Sequence, residues 1–143
     1  MNTPSKKILV IVPAFNECGN IGRTLEEIRR FSKDIDVLVI DDGSVDATAQ
    51  EAASAGGMVV SLPFNLGIGA AVQTGFQYAR RYQYDIAVQI DGDGQHDPAF
   101  IDKVLGPLLA QEADMVVASR FLAKSEAFDH LLAAGWGSIF LYI

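Results

Sequence analysis

The chain contains one cysteine, Cys18, among 143 residues. A single cysteine cannot form a disulfide within the chain, and this composition is typical of a reducing cytoplasm. Basic residues are also few, with 11 Lys and Arg against 18 Asp and Glu and a net charge of −7. Nucleic acid is bound through basic surfaces that displace its counterions, and no basic stripe is present. We therefore expect no nucleic-acid partner.

Long apolar runs are also absent. Leu131–Ile143 is uncharged and apolar, but it falls well short of the about 20 residues that a helix needs to cross a bilayer. We predict an apolar helical tail over residues 123–143, which is not a separate domain. Two interpretations of this tail stay open, peripheral association with a membrane and contact with a partner such as a second copy of the chain. Lys6 and Lys7 precede an apolar run, but no cleavage pattern of a signal peptide follows.

The hydrophobic content of 50% suits one domain with a single core. Five short apolar runs alternate with helical patterns and predict strands buried on both faces: Ile8–Val12, Val37–Ile40, Met58–Leu62, Ile86–Ile90 and Met115–Ala118. This order predicts an α/β fold, a three-layer, doubly wound and mostly parallel sheet with right-handed crossovers.

Helical patterns lie between these strands. The first has apolar residues at helical spacing over Ile21–Phe31, after a candidate cap at Asn20. Asp46 is a candidate cap of the second, Asn65–Arg81 forms the third, and the pair Asp97-Pro98 begins the fourth. The helices therefore connect successive parallel strands.

Polar residues follow each predicted strand. In doubly wound sheets, ligands bind at the carboxyl ends of the strands, where the connections diverge. The segments at these ends are Asn16-Glu17, Asp41–Ser44, Asn65–Gly69, Asp91–Asp97 and Ser119-Arg120. We therefore expect a single site that gathers side chains from all five.

The segment after the fourth strand has the most specific chemistry. Asp91 and Asp93 are separated only by Gly92, so both carboxylates can turn toward one point. Such a point suits a hard divalent cation, Mg²⁺ or Mn²⁺, which takes oxygen ligands and phosphate oxygens. The alternative is an acidic turn before a capped helix, which would leave two carboxylates repelling each other without a cation.

Five segments together carry a signature: Val12–Glu17, Asp41–Ser44 with Asp46 and Thr48, Asn65–Gly69, Asp91–His96, and Ser119–Phe121. In this order the chain resembles the family 2 glycosyltransferases of the GT-A fold. The likeness is strongest to the polyprenyl-phosphate (dolichyl-phosphate) mannosyl and glucosyl transferases. The resemblance covers residues 7 to about 122, the nucleotide-sugar-binding half, and places the GT-A domain at residues 1–122.

The resemblance also implies roles for single residues. A nucleoside-diphosphate sugar, linked to GDP or UDP, would be bound by Pro13, Ala14, Phe15, Glu17, Asp41, Gly67, Gly69 and Asp91. The metal would be held by Asp91, Asp93 and Gln95, and the catalytic residues would be Asp93 and Arg120. The alternatives are a tight turn for the two glycines, a helix cap for Asp46 and a surface salt bridge for Arg120. His96 is expected to hold the loop by hydrogen bonding, and Cys18 to pack without chemistry.

The implied reaction is metal-assisted transfer of a hexose, with inversion, to a polyprenyl phosphate or a glycan. It would take place in the cytoplasm or at the cytoplasmic face of a membrane. Residues 121–143 lack the acceptor-binding motifs of the resembled enzymes, so a non-catalytic nucleotide-sugar-binding module is the alternative. A signalling receiver domain is also doubly wound and acidic, but its acid pair follows the first strand. Here Asn16-Glu17 follows that strand.

Overall fold

The computed structural model describes residues 6–31, 34–91, 99–118 and 139–142. In these ranges, strands and helices follow in the order β1 (Ile8–Ala14), α1 (Ile21–Phe31), β2 (Ile35–Asp41), α2 (Thr48–Ser54), β3 (Met58–Ser61), α3 (Ile68–Arg81), β4 (Ile86–Gln89), α4 (Ala99–Leu109), β5 (Val117–Ala118) and β6 (Ile139–Tyr142). The alternation of strands and helices predicted for the first four strands is confirmed.

β1 lies inside a sheet whose strand order is β3-β2-β1-β4-β6-β5. It pairs in parallel with β2 on one side and with β4 on the other, and β2 pairs in parallel with β3. β6 runs antiparallel to both β4 and β5 and separates them. The predicted α/β class with a mostly parallel sheet is therefore confirmed.

The predicted helical tail is wrong for Ile139–Tyr142, which form β6. These residues pair with β4 and β5. The membrane and partner interpretations of the tail stay predictions. β5 is also shorter than the predicted strand, because it contains only Val117–Ala118. The domain boundary at residue 122 stays a prediction.

Different helices cover the two faces of the sheet, because side chains alternate along each strand. Val10 and Val12 of β1 pack in one cluster with buried residues of α1, α2 and α4. Leu9 and Ile11 belong to the other cluster, with residues of α3 such as Ala71. The chain therefore has the three layers that its strand and helix pattern predicted.

α3 approaches β1 most closely at Gly75. A Cβ atom at this position would lie 2.3 Å from Cγ2 of Ile11 and 3.1 Å from its Cδ1. Such separations are far below van der Waals contact, so only a residue without a side chain fits here. Gly75 therefore allows α3 to pack closely on the middle of β1.

α2 begins close to its predicted cap, Asp46. Its first residue is Thr48, and Asp46 Oδ1 accepts a hydrogen bond of 3.0 Å from the Thr48 backbone N–H. The N-cap position itself is Ala47, so Asp46 acts from one residue further upstream. Gly56 has a φ of 81°, and the N–H groups of Gly56 and Gly57 bond to carbonyls of the last turn at 2.9 Å. Gly56 is thus a left-handed glycine stop of the kind that commonly ends a helix.

The amino ends of the central strands are joined by side chains. The backbone N–H of Lys7 donates to Asp85 Oδ2 at 2.7 Å, and the Lys7 ammonium lies 4.1 Å from the centroid of the Tyr84 ring. The Tyr84 hydroxyl donates to Asp36 Oδ2 at 2.7 Å. Burial, reinforced by the bond to Asp36, raises the pKa of Tyr84. These contacts connect the amino ends of β1, β2 and β4, and a cleft lies at the opposite, carboxyl ends.

Candidate functional site

A cleft of about 360 Å³ opens at the carboxyl ends of β1, β2 and β4. Its walls are formed by Pro13, Ala14, Phe15, Glu17, Asp42, Asn65, Gly67, Ile68, Ala71 and Asp91. The structure thus brings together six of the predicted nucleotide-sugar-binding residues, namely Pro13, Ala14, Phe15, Glu17, Gly67 and Asp91. Asp41 and Gly69 are not part of these walls. Asp93, Gln95, His96 and Arg120 lie outside the described residues.

The loop after β1 is tied to the loop after β2. Asn16 adopts a left-handed conformation with φ 55°, and its Oδ1 accepts a hydrogen bond of 3.0 Å from Val45 N–H. In return, Asn16 N–H donates to Ser44 Oγ at 2.9 Å, and Glu17 N–H donates to Thr48 Oγ1 at 2.8 Å. Asparagine tolerates this backbone conformation better than most residues. The exchange orients the loop that contributes Phe15 and Glu17 to the cleft.

A second contact between these loops is made by Glu51, on α2. Its two carboxylate oxygens accept hydrogen bonds from Gly19 N–H at 2.5 Å and Gly22 N–H at 2.9 Å. These two backbone donors lower the pKa of Glu51. Glu51 thereby binds backbone donors around the start of α1, and it does so from a different helix. Glu51 was not among the predicted residues, because its pattern in the sequence is that of an ordinary helix position.

Cys18 lies on the same loop and is exposed, so the expectation that it packs in the interior is wrong. Its backbone N–H donates to Asp46 Oδ2 at 3.2 Å. A hydrogen bond to Glu51 is the main reason why the pKa of the Cys18 thiol is raised. A raised pKa keeps the sulfur in its poorly nucleophilic thiol form, which agrees with the expectation that Cys18 has no chemistry.

The hydrogen bond from the Thr48 hydroxyl is the main cause that lowers the pKa of Asp46.

Asp41 and Asp42 point in different directions. Asp41 shares its strand parity with Val37 and Val39, which belong to the core cluster of α1 and α2. Its side chain is buried, and Oδ1 accepts a hydrogen bond of 3.0 Å from Ser44 N–H. Asp42, one residue later, is the acidic residue at this strand end that lines the cleft. The predicted contact of Asp41 with a ligand stays a prediction, and the residue that sequence reasoning missed is Asp42.

Asp42 Oδ1 accepts a hydrogen bond of 2.8 Å from Leu66 N–H, and its Oδ2 accepts one of 2.8 Å from Gly67 N–H. Asn65 Oδ1 also accepts from Gly67 N–H, at 3.0 Å. These bonds hold residues 65–67 outside the helix, so α3 begins at Ile68, three residues later than predicted. The N–H of Gly67 is therefore engaged by side chains of the protein, and the predicted contact of Gly67 and Gly69 with a nucleotide sugar stays a prediction.

Positions 67 and 69 of this turn differ in whether the backbone conformation requires glycine. Gly67 has φ 90° and ψ 158°, a conformation that other residues adopt only with strain. A Cβ at either Gly67 or Gly69 would meet no atom within 4 Å. Glycine is thus required at position 67 by the backbone conformation, whereas the structure shows no such requirement at position 69.

Of the predicted metal ligands, Asp91 is the one that lies among the described residues. This half-buried carboxylate lines the cleft, and Gln89 Nε2 lies 3.4 Å from its Oδ1. Within residues 6–31, 34–91, 99–118 and 139–142, no group of three or more His, Cys, Asp or Glu could hold a metal ion. The other predicted ligands, Asp93 and Gln95, are outside these ranges. A carboxylate in an acidic cleft is the type of oxygen donor that hard divalent cations take.

No helix among the described residues is both long enough and apolar enough to cross a membrane.

Comparison with known proteins identifies relatives of this arrangement. The sequence profile of glycosyl transferase family 2 matches residues 9–136. The uncharacterized protein MJ1222 of Methanocaldococcus jannaschii is 39% identical over 120 residues, which cover 84% of this chain and 49% of that protein. The polyprenol monophosphomannose synthase of Mycolicibacterium smegmatis is 33% identical over 125 residues, 83% of this chain and 47% of the enzyme. The chain therefore spans about half the length of these relatives.

A similar fold occurs in a solved structure. The glucosyl-3-phosphoglycerate synthase of Mycobacterium tuberculosis, in complex with Mn²⁺, UDP-glucose and phosphoglyceric acid, superimposes with a TM-score of 0.64 and 31% identity. The match covers 78% of this chain and 42% of the synthase. The structural neighbour thus has the GT-A type of sheet that the sequence predicted.

Proposed function

Because the chain belongs to glycosyl transferase family 2, we propose that its cleft binds a nucleoside-diphosphate sugar, linked to GDP or UDP, as glycosyl donor. The hexose would pass, with inversion, to a polyprenyl phosphate or a glycan. The observation that carries the proposal is the cleft itself, in which loops distant in sequence meet at the carboxyl ends of parallel strands. The synthase with the similar fold was crystallised with a UDP-sugar and Mn²⁺.

The nucleoside would lie against the wall formed by Pro13, Ala14 and Phe15. The Phe15 side chain is 43% exposed at the cleft and offers an aromatic surface to a base. Glu17, which lines the same wall, is a carboxylate that can accept hydrogen bonds from two ribose hydroxyls. Asp41 is buried, and its contact with the nucleotide sugar stays a prediction.

The diphosphate would meet an acidic cleft, because Glu17, Asp42 and Asp91 all line it. Such a surface repels a diphosphate unless a cation stands between them. Asp91, together with Asp93 and Gln95, would hold Mg²⁺ or Mn²⁺ through oxygen ligands. When bound, this ion supplies Lewis-acid stabilisation of the negative charge that grows on the departing diphosphate.

The acceptor decides whether the protein must supply a base. A sugar hydroxyl loses a proton during the transfer and needs a general base, whereas a lipid phosphate is already an anion. The relative named polyprenol monophosphomannose synthase supports the lipid phosphate as acceptor. Arg120 would bind a phosphate of the donor or the acceptor. A lipid acceptor would place the reaction at the cytoplasmic face of a membrane.

Calorimetry tests donor binding. We expect UDP-sugars or GDP-sugars to bind the chain in the presence of Mn²⁺ and much more weakly in EDTA. Asp91→Asn is expected to weaken the metal-dependent binding at least tenfold, because it removes a charged ligand. The control is Asp102→Asn, an exposed carboxylate on α4 outside the cleft walls. Absence of metal-dependent binding to the wild-type chain would refute the proposal.

Transfer is tested separately, with a radiolabelled donor and a polyprenyl phosphate in detergent. Labelled lipid formed by the purified chain would establish transferase activity. Donor binding without transfer or hydrolysis would instead select the non-catalytic binding module, which keeps the nucleotide site and lacks turnover.

A further inference from the structure

Asp42 connects three of the segments that form the cleft. The backbone N–H of Asp42 donates to Ala14 O at 2.8 Å, at the end of β1. Its carboxylate accepts hydrogen bonds of 2.8 Å from the backbone N–H groups of Leu66 and Gly67, in the loop before α3. The residue is only 4% exposed, although it lines the cleft. Asp42 thus joins the ends of β1 and β2 to the start of α3.

We propose that Asp42 is a positioning residue, whose carboxylate fixes the β3–α3 loop so that Gly67 and Ile68 form the far wall of the donor site. This inference rests on the function proposed above. Both carboxylate oxygens are used in bonds of 2.8 Å, a length typical of charge-assisted hydrogen bonds. The role differs from the ligand contact that the sequence suggests for Asp41, because both carboxylate oxygens of Asp42 face backbone donors of the protein itself.

The position of the carboxylate also bears on the start of α3. Gly67 is the N-cap of α3 and has no side chain, so it cannot cap the helix itself. Asp42 does not replace that cap, because it bonds the N–H groups of Leu66 and Gly67, which precede the first helical residue, Ile68. Its negative charge nevertheless lies near the start of α3, where the helix dipole favours an anion.

An asparagine at position 42 cannot reproduce this arrangement. Its side chain has one acceptor oxygen, and its NH₂ group would face the N–H of Leu66 or of Gly67. Two donors would then oppose each other in a nearly buried site, which is more costly than the loss of one bond alone. Asp42→Asn should consequently release one of the two backbone groups, although its volume is unchanged.

The experiment compares wild-type, Asp42→Asn and Asp102→Asn chains by amide hydrogen exchange and by donor calorimetry. We expect exchange at Leu66 and Gly67 in the free Asp42→Asn chain to be at least tenfold faster, and donor affinity to fall at least tenfold. Asp102→Asn should change neither quantity. Exchange that stays at the wild-type rate in Asp42→Asn would overturn the proposal, and it would do so even if affinity falls, since the carboxylate would then act on the ligand directly.

A second perturbation covers the case in which Asp42→Asn does not fold. Replacing the peptide amide of Leu66 by an ester removes that N–H donor and leaves Asp42 intact. We expect the same loss of donor affinity and faster exchange at Gly67, whereas unchanged affinity and exchange would overturn the proposal. If the wild-type chain binds no nucleotide sugar, the proposed function fails, and the exchange rates alone still decide whether Asp42 holds the loop.

Discussion

Replacing Gly75 with alanine tests the packing of α3 on the sheet. The new Cβ would lie 2.3 Å from Ile11 Cγ2, on a fully buried and β-branched side chain of β1. A β-branched side chain on an inner strand has little freedom to move away. Such overpacking costs about 1–3 kcal/mol. The higher helix propensity of alanine offsets about 0.5–1 kcal/mol of this cost.

Gly69→Ala is the matched control, because it makes the same change in the same helix where a Cβ would meet no atom within 4 Å. The difference between the two variants removes most of the propensity contribution and leaves the overpacking, about 1–3 kcal/mol. With a urea m-value of about 2 kcal/mol/M, the unfolding midpoint of Gly75→Ala should be lower by about 0.5–1.5 M than that of Gly69→Ala.

The contact with Ile11 can be tested directly in the same assay. Ile11→Leu moves the branch away from Cβ and so deletes the Cγ2 methyl that the new side chain would strike. In this background, Gly75→Ala should lose a substantial part of its cost, which appears as a coupling energy in the double-mutant cycle. Equal stability of Gly75→Ala and Gly69→Ala, or the same cost in both backgrounds, would refute the packing argument.

Three further substitutions concern the cleft and its support. Glu51→Gln should lower the free energy of unfolding at pH 7 by about 1 kcal/mol, since a partly exposed, charge-assisted acceptor is lost. The folded pKa of Glu51 lies below its ordinary 4.5, so its contribution to stability is present above pH 4.5 and is lost as the pH falls through the folded pKa. The free energy of unfolding of Glu51→Gln should therefore decrease less steeply with falling pH than that of the wild-type chain. Gly67→Ala should cost about 1–2 kcal/mol in urea unfolding because of its φ of 90°, and a cost no larger than that of Gly69→Ala would contradict the strain. Phe15→Ala should weaken nucleotide binding in calorimetry by roughly 5- to 100-fold through lost base stacking. Phe64→Ala, which is exposed but outside the cleft walls, should leave binding unchanged, and equal effects of both variants would argue against stacking on Phe15.

The parallel part of the fold is predictable because β1 and the central residues 37–40 of β2 are continuous apolar runs, and β4 begins with another. Ile8–Ala14 is buried along most of its length, and only a strand covered by helices on both faces needs such a composition. β6 was not predictable in this way. An uncharged apolar stretch has no period that separates a strand from a buried helix, and the partners of β6 lie far away in the sequence.

The cleft could be located from the sequence, but its contacts could not. Strand order alone brings Glu17, Gly67 and Asp91 to one edge of the sheet. The difference between Asp41 and Asp42 depends on which face of β2 each side chain takes at the point where the strand ends. Likewise, Glu51 meets Gly19 only through the packing of two helices, and no local pattern records that contact.

The position of β6 determines when the sheet can be completed during protein synthesis. β5 precedes β6 in the chain, yet its strand neighbour in the sheet is β6. A nascent chain that has just left the ribosome with β5 therefore still presents the unpaired edge of β4. An open edge of this kind can pair with a strand of another chain. If translation stalls before Ile139, the exposed edge of β4 could pair with other chains and cause aggregation. Chaperones that bind extended peptides could bind the same edge.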